Sequence, residues 1–259
     1  MNQKKYENII FETKEDRAFL TINRPPLNIL NIATMEEING ALNSLVDNHK
    51  VKVLVISSSG AKAFSAGVDV TDHTAERVER MIHVFHAIFR NLAKLDQVTV
   101  AAVKGLALGG GCEIAIFCDL ILAADNLKIG QPEIKFSVLP PVALLVMPRL
   151  VGLKKACELL LTGKTIEASE AERIGLINKV VPLASFETEL ETFIQPLREL
   201  SLVALKYSKK GINLGLEASF SEGLGRIEKI YLEELMASED AHEGLKAFME
   251  KRKPVWKNK

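Results

Sequence analysis

The stretch VTVAAVKGLALGGGCEIAIFCDLILA, residues 98–123, decides the fold class of this chain. Its first six residues are mostly apolar, which predicts a buried strand. A glycine-rich loop follows, then an apolar segment of helical length from Cys112 to Phe117, and then a second strand from Leu120 to Ala123. Strand, loop, helix and strand in this order predict an α/β core with crossover connections.

The same patterns extend to both ends of the chain. Before residue 98 we predict strands at 9–12, 18–22 and 53–56, helices at 34–46 and 75–95, and a loop at 57–67. After Pro141 the pattern is mostly helical, and the candidate helices are 153–161, 168–174, 186–197, 202–216, 220–236 and 240–250. The sequence therefore predicts an α/β core over residues 1–182 and an all-helical region over 183–259.

Composition and charge disfavour several classes of protein. Lys plus Arg and Asp plus Glu both total 33, so the net charge is zero, and we expect neither a nucleic-acid nor an anionic-membrane partner. The three cysteines form no CxxC pair, which fits a reducing compartment. Met1 to Glu7 is not followed by an apolar run, and no stretch of about 18 apolar residues occurs. We therefore expect a cytoplasmic protein without a signal peptide or spanning helix.

The loop from Gly105 to Gly111 is the first candidate site. Glycines let a ligand approach backbone N–H donors, and a helix that starts after the loop adds the positive end of its dipole. Such a loop suits a phosphate cradle, an oxyanion hole for a carbonyl oxygen that gains charge, or a simple packing turn. Ala107 breaks the dinucleotide pattern GxGxxG, and the absence of GKS or GKT excludes a P-loop.

A second loop, Ala63 to Val70, follows the strand predicted at 53–56. Ligands of parallel α/β sheets bind at the carboxyl ends of the strands, although a plain connection is the alternative.

Two glutamates could carry acid–base chemistry. Glu113 is followed by an apolar segment, and Glu133 follows Gly130-Gln131-Pro132. Burial would raise the pKa of a carboxyl towards the range that suits proton transfer. Alternatively, both glutamates occupy first turns of helices, where the dipole favours a negative charge.

The histidines do not indicate a metal centre. His83 and His86 lie three residues apart on the helix predicted at 75–95, but no third ligand is signalled. No GxSxG occurs, and nothing supports a Ser/His/Asp triad. We expect no metal site.

Taken together, these segments resemble the crotonase, or enoyl-CoA hydratase/isomerase, superfamily. Any one motif is weak, but the matching segments occur in order along nearly the whole chain. They are 23–25, 64–69, 103–113, 118–119, 130–133, 148–152, 161–163, 168–171, 175–177, 243–244 and 247–254. The resemblance implies a fold of repeated ββα units with an all-helical C-terminal region that serves oligomerisation and covers the substrate site. It also implies a homotrimer or hexamer.

The resemblance further implies a site for an acyl-CoA thioester, with CoA as part of the substrate and no separate cofactor. The backbone N–H groups of Val68 and Gly110 would form the oxyanion hole for the thioester carbonyl. The residues that would contact the substrate and its CoA are Ala66, Val68, Asp69, Val70 and Gly110.

Glu113 and Glu133 fall on the two glutamates that hydratases of this family use, which implies addition of water to an unsaturated acyl-CoA through an enolate. Isomerases of the family often keep only one of these carboxylates, so the presence of both favours hydration. An enoyl-CoA isomerase remains an alternative. An RNA-binding member is disfavoured by the zero net charge, and a catalytically silent one by the two glutamates.

One segment, 139–144, departs from the family's pattern. It reads Leu-Pro-Pro-Val-Ala-Leu, where ordinary enoyl-CoA hydratases have a Pro-Gly-Ala-Gly-Gly-like turn. We expect a stiffer, more apolar pocket wall that has lost exposed backbone, since proline cannot donate a hydrogen bond. In this the chain resembles the cyclohexa-1,5-diene-1-carbonyl-CoA hydratases of anaerobic aromatic degradation. A general short-chain enoyl-CoA hydratase is the alternative.

Overall fold

A computed structural model describes residues 6–259. Residues 1–5 lie outside the described residues, and the expectation of no signal peptide rests partly on them. The strands are β1 Ile9–Lys14, β2 Arg17–Ile22, β3 Val53–Ser58, β4 Ala63–Ser65, β5 Val98–Val103, β6 Leu106–Leu108, β7 Leu120–Ala124, β8 Lys128–Gly130, β9 Thr165–Glu167 and β10 Lys179–Val181. The helices are α1 Ile32–Asn43, α2 Val78–Lys94, α3 Gly110–Phe117, α4 Pro141–Val151, α5 Leu153–Thr162, α6 Ala168–Arg173, α7 Phe186–Arg198, α8 Leu202–Glu217, α9 Phe220–Lys229 and α10 Glu239–Met249.

The strands form two sheets. The larger sheet has the order β1-β2-β3-β5-β7-β10, and its pairs are parallel except for β1 with β2. The smaller sheet has the order β4-β6-β8-β9, in which β4, β6 and β8 are parallel. Three successive units, β3–β4–α2, β5–β6–α3 and β7–β8–α4, each give one strand to each sheet before a helix. The predicted α/β class with repeated ββα units is confirmed.

The smaller sheet brings the candidate segments together. Since β4, β6 and β8 are parallel, their carboxyl ends share one edge, from which residues 66–70, 109–113 and 131–133 emerge. The loop prediction for 57–67 is wrong over Ala63–Ser65, and part of the glycine-rich loop is the strand Leu106–Leu108. Three-residue strands are too short to show an alternating pattern, and their pairing with neighbours defines them.

The C-terminal helices largely follow the prediction, and five of them agree to within two residues. The helix predicted at 220–236 instead ends at Lys229 and continues as a π-helical segment, Ile230–Leu235. The strands β9 and β10 interrupt the region expected to be mostly helical. No helix described between residues 6 and 259 is long and apolar enough to cross a bilayer.

The helix α7 packs against one face of the larger sheet. Its buried side chains Phe186, Leu190 and Ile194 lie against Val53 of β3 and Val100 of β5, among others. Burial of such side chains contributes about 1.5–3 kcal/mol each, so this helix stabilises one face of the sheet. The other face carries the main core, to which α1, α2 and α3 contribute. The domain division at residue 182 stays a prediction.

Candidate active site

The first feature of the site is a close approach of two backbone segments, 67–68 and 109–110. Gly67 and Gly109 both have positive φ angles, of 105° and 52°. A Cβ atom on Gly67 would lie 3.1 Å from the carbonyl oxygen of Leu108 and 3.6 Å from the Gly110 nitrogen. Position 67 therefore strongly favours glycine, because the positive φ angle strains any other residue and a Cβ atom would crowd the Leu108 carbonyl.

The backbone N–H groups of Val68 and Gly110 are free to bind a ligand. Leu30 donates to the Gly67 carbonyl at 2.9 Å and accepts from the Asp69 N–H at 3.0 Å. In this parallel bridge the N–H of the intervening Val68 points away from Leu30. Gly110 is the first residue of α3, where helix N–H groups have no intrahelical partner. Within residues 6–259 neither N–H has a protein acceptor, so both suit an oxygen that carries negative charge.

Side chains and backbone of neighbouring segments pack tightly against the first two residues of α3. A Cβ atom on Gly110 would lie 2.9 Å from Cζ of Phe85 and 2.9 Å from Cγ2 of Val68. A Cβ atom on Gly111 would lie 2.5 Å from the carbonyl oxygen of Ser65. Phe85, on α2, is 2% exposed and was not among the predicted site residues. In the sequence, the position of Phe85 on the predicted helix indicated only a core residue.

Glu113 is 2% exposed and is held by the start of α4. Its Oε1 accepts hydrogen bonds from the N–H groups of Val142 at 2.8 Å and Ala143 at 3.0 Å. The wall therefore keeps two backbone donors, but both are buried and bound to Glu113. Pro141 occupies the first helical position, where its missing N–H has no intrahelical role, and the next two N–H groups remain available.

The pKa of Glu113 is raised by its burial to about 7. The nearby Glu133 carboxylate also raises it, whereas the hydrogen bonds from Ala143 and Val142 lower it. Glu113 therefore exchanges its proton near neutral pH. The two backbone donors stabilise its ionised form.

Glu133 is half-buried at the start of a short 3-10 turn, Glu133–Phe136. Burial raises its pKa to about 7, and a hydrogen bond from its own backbone opposes the rise. A Cβ atom on Gly109 would lie 2.6 Å from Oε1 of Glu133, so a side chain at position 109 would displace the carboxylate. The structure thus brings Glu133 beside the loop that presents the Gly110 N–H.

Gln131 is the main polar residue of the site that sequence reasoning missed. It is completely buried, and one end of its amide lies 3.1 Å from each carboxylate oxygen of Glu133. Because an ionised carboxylate only accepts hydrogen bonds, we assign the amide nitrogen to that end. The Cys112 thiol, also completely buried, lies within hydrogen-bonding reach of the Gln131 side chain. Burial raises the pKa of Cys112 well above its ordinary value, so the thiol is neutral.

The remaining predicted contact residues form one rim of the site. Ala66 is half-buried and donates its N–H to the carbonyl of Leu27 at 2.9 Å. The Asp69 carboxylate accepts from the Thr71 N–H and hydroxyl at 3.0 and 2.8 Å, and these hydrogen bonds lower its pKa. Asp69 is therefore committed to capping the short turn that follows it. Val70 is 81% exposed.

A buried acid supports this rim. Asp72 is 1% exposed; it accepts from the Ile32 N–H at 2.9 Å and pairs with Arg77 at 2.7 Å. Ile32 is distant from Asp72 in the sequence, and Arg77 comes close to it only through the turn between them. The sequence alone therefore did not reveal either contact. Across the described residues, no group of three or more His, Cys, Asp or Glu side chains is arranged to hold a metal ion.

Comparison with known proteins gives one consistent result. The family described as enoyl-CoA hydratase/isomerase matches residues 12–259. The chain is 40% identical over 252 residues to a probable enoyl-CoA hydratase of Mycobacterium tuberculosis, covering 96% of this chain and 97% of that protein. It is 38% identical over 253 residues to the crotonyl-CoA hydratase of Syntrophomonas wolfei, covering 96% and 97%. A crystal structure of an enoyl-CoA hydratase from Bacillus anthracis has a TM-score of 0.93 and 30% identity, covering 98% of this chain and 100% of that one.

Proposed function

The chain belongs to the enoyl-CoA hydratase/isomerase family, and on that premise we propose that it is a hydro-lyase that adds water to an α,β-unsaturated acyl-CoA. One observation carries the proposal. Two uncommitted backbone donors, on Val68 and Gly110, lie beside two carboxyls, on Glu113 and Glu133, whose pKa values burial raises to about 7. CoA is part of the substrate, and the reaction needs no separate cofactor.

In the proposed mechanism the thioester carbonyl accepts hydrogen bonds from Val68 and Gly110. These donors stabilise the enolate oxygen as its charge develops, and each is typically worth about 3–4 kcal/mol. The Ala66 to Val70 rim would lie along the CoA. Because both donors are backbone groups that glycines hold in place, they need no rearrangement when the charge appears.

The two carboxyls have different environments, which supports different roles. Glu113, whose ionised form accepts two backbone N–H bonds, takes a proton from water as the water oxygen bonds to carbon. Glu133, in its protonated form, delivers a proton to the carbon skeleton. Each turnover leaves Glu113 protonated and Glu133 ionised. A proton then passes from Glu113 to Glu133 through a shared water, which restores the starting protonation states. The titrations of such a pair are coupled.

For the acyl group we propose a cyclic dienoyl thioester, cyclohexa-1,5-diene-1-carbonyl-CoA, which would place the enzyme in aromatic degradation. The wall next to Glu113 supports this choice. Pro140 and Pro141 stiffen the start of α4, and Val142 and Ala143 pack there with 9% and 0% exposure. A rigid, flat ring loses little conformational freedom against a rigid wall. A general short-chain enoyl-CoA hydratase is the second candidate, favoured by the similarity to a crotonyl-CoA hydratase.

We further propose that the protein acts as a homotrimer or hexamer in the cytoplasm. Large apolar side chains are exposed along 136–161 and in the C-terminal helices, more than a monomer of this size normally leaves uncovered. They include Phe136 at 74%, Leu145 at 71%, Phe220 at 85% and Phe248 at 83% exposure. All three cysteines are free, which fits a reducing compartment.

The test is turnover of crotonyl-CoA and cyclohexa-1,5-diene-1-carbonyl-CoA by the purified protein, with the Glu113→Gln variant as control. Hydration of the cyclic diene with a much higher kcat/KM supports the full proposal. Preference for crotonyl-CoA retains the hydratase and removes the cyclic substrate. Double-bond migration without water addition would instead make the protein an isomerase, and absence of turnover of either thioester would overturn the proposal.

A further inference from the structure

Behind the Glu133 carboxyl lies a buried polar pair that the proposed reaction does not use directly. Gln131 follows β8 and Cys112 lies in the first turn of α3, and both are completely buried. The end of the Gln131 amide to which we assign the nitrogen lies 3.1 Å from each oxygen of Glu133. The Gln131 side chain also hydrogen-bonds the Cys112 sulfur, as does the Gly130 backbone. Because Glu133 occupies one end of the amide, we assign Cys112 to the other end. The three side chains therefore form a short row that ends at a proton carrier.

The chemistry of an amide makes this row sensitive to the proton on Glu133. An ionised carboxylate only accepts hydrogen bonds, whereas a protonated carboxyl also donates one. The amide has a donating end and an accepting end, which exchange places when it turns by half a rotation. Gln131 can therefore bond Glu133 in either state, with its nitrogen towards the ionised form and its oxygen towards the protonated form.

The partner at the far end of the amide has to tolerate both orientations. A neutral thiol does so, because S–H is a weak donor to oxygen and sulfur is a weak acceptor from N–H. An alanine in this place would leave the amide oxygen without a partner when Glu133 is ionised and the amide NH2 group without one when Glu133 is protonated. Both losses cost free energy, and because they are unequal the substitution also shifts the pKa of Glu133. A permanently charged side chain would favour one orientation and so one protonation state of Glu133.

We propose that Gln131 and Cys112 are positioning residues that keep Glu133 hydrogen-bonded whether or not it carries its proton. The Gln131 amide turns with the protonation state of Glu133, and Cys112 bonds whichever end of the amide faces it. This support allows Glu133 to gain and release a proton within each turnover without moving its carboxyl.

Few other charged groups lie near the row formed by Cys112, Gln131 and Glu133. In the described part of the chain, Glu113 on α3 is the further ionisable group whose charge reaches Cys112 and faces Glu133. Lys135, on the same 3-10 turn as Glu133, packs over Gly163, where its Cε is 3.0 Å from the position of a glycine Cβ. The protonation state of Glu133 therefore acts mainly on the orientation of the Gln131 amide, which contacts both carboxyl oxygens.

The first experiment compares Cys112→Ala, Cys112→Ser and the matched control Cys118→Ala. Cys118 is a buried cysteine at the other end of α3, where its thiol donates to the Ile114 carbonyl. We expect Cys112→Ala to lower kcat about 2- to 10-fold with an unchanged KM and to displace one limb of the pH–rate profile. Cys112→Ser, which keeps a donor and an acceptor, should stay within about 2-fold of the wild type. Cys118→Ala should lower stability and leave the pH profile in place.

A second readout needs no turnover, which separates this inference from the proposed function on which its kinetic part rests. In protein labelled with 15N in glutamine side chains, the Gln131 amide resonance is followed from pH 5 to pH 9. We expect it to titrate together with Glu133, to become insensitive to pH in Glu133→Gln, and to titrate at a different pH in Cys112→Ala.

Two results would overturn the inference: a Gln131 resonance that stays constant while the Glu133 carboxyl titrates, or a Cys112→Ala variant with the pH–rate profile and amide titration of the wild type. If the amide titrates as expected in a protein that hydrates neither thioester, the support for Glu133 stands and the proposed function fails.

Discussion

Replacing Glu113 by glutamine should make the protein more stable at alkaline pH while removing its activity. The pKa of Glu113 rises on folding from an ordinary value of 4.5 to about 7, because the carboxyl is buried. A carboxyl with a raised folded-state pKa binds its proton more tightly in the folded protein. The resulting stabilisation is fully present below pH 4.5 and is lost as the pH rises through about 7. The difference corresponds to ~3 kcal/mol, since one pKa unit is about 1.4 kcal/mol.

Glutamine has nearly the same shape, and its amide oxygen can accept the same hydrogen bonds from Val142 and Ala143. We therefore expect the free energy of unfolding of Glu113→Gln to match the wild type near pH 4.5 and to exceed it by up to ~3 kcal/mol at pH 8. Urea unfolding of both proteins at one protein concentration and several pH values measures this difference. Glu12→Gln, at an exposed position on β1, is the control and should show no such trend. A Glu113→Gln difference that does not change with pH would refute the assignment of a buried, weakly acidic carboxyl.

Three further outcomes follow from the site. Hydration should be fastest near pH 7 and fall on both sides, because it needs Glu133 protonated and its partner carboxyl ionised; a rate that rises steadily from pH 6 to pH 9 would contradict this. Gly109→Ala, whose Cβ would lie 2.6 Å from Glu133 Oε1, should lower kcat roughly 100-fold in a folded protein, which kcat and circular dichroism together test. Asp72→Asn, which weakens the pair with Arg77, should cost about 1 kcal/mol in urea unfolding and leave kcat within about 2-fold.

The sequence revealed those parts of the fold that long patterns encode. The apolar run at 98–103, the glycine-rich loop and the helix after it predicted the α/β core, and the structure has them in that order. The short strands β4, β6 and β8 were missed because three residues carry no readable period. Yet these strands place the three candidate segments at one edge. The convergence of Glu113 and Glu133 therefore followed only from the family resemblance, not from the local pattern.

Other features of the site depend on backbone geometry or on a buried orientation. The two prolines predicted a stiff wall without exposed backbone, and only the structure shows that the helix start at Pro141 presents the buried N–H groups of Val142 and Ala143 to Glu113. The role of Gln131 depends on which end of its amide faces Glu133, and no residue pattern encodes such an orientation. The proposed oxyanion hole likewise rests on the position of Gly110 beside Val68, which the sequence did not show.

The measurement that tests the hydratase account most directly is isotope incorporation from solvent. The protein is incubated with crotonyl-CoA, and separately with the cyclic dienoyl-CoA, in water enriched in 18O and deuterium, and the products are analysed by mass spectrometry. We predict one solvent oxygen and one carbon-bound solvent hydrogen in the product of the preferred substrate, and neither label with Glu113→Gln or Glu133→Gln. Folded wild-type protein that introduces no solvent oxygen into either thioester would contradict the account.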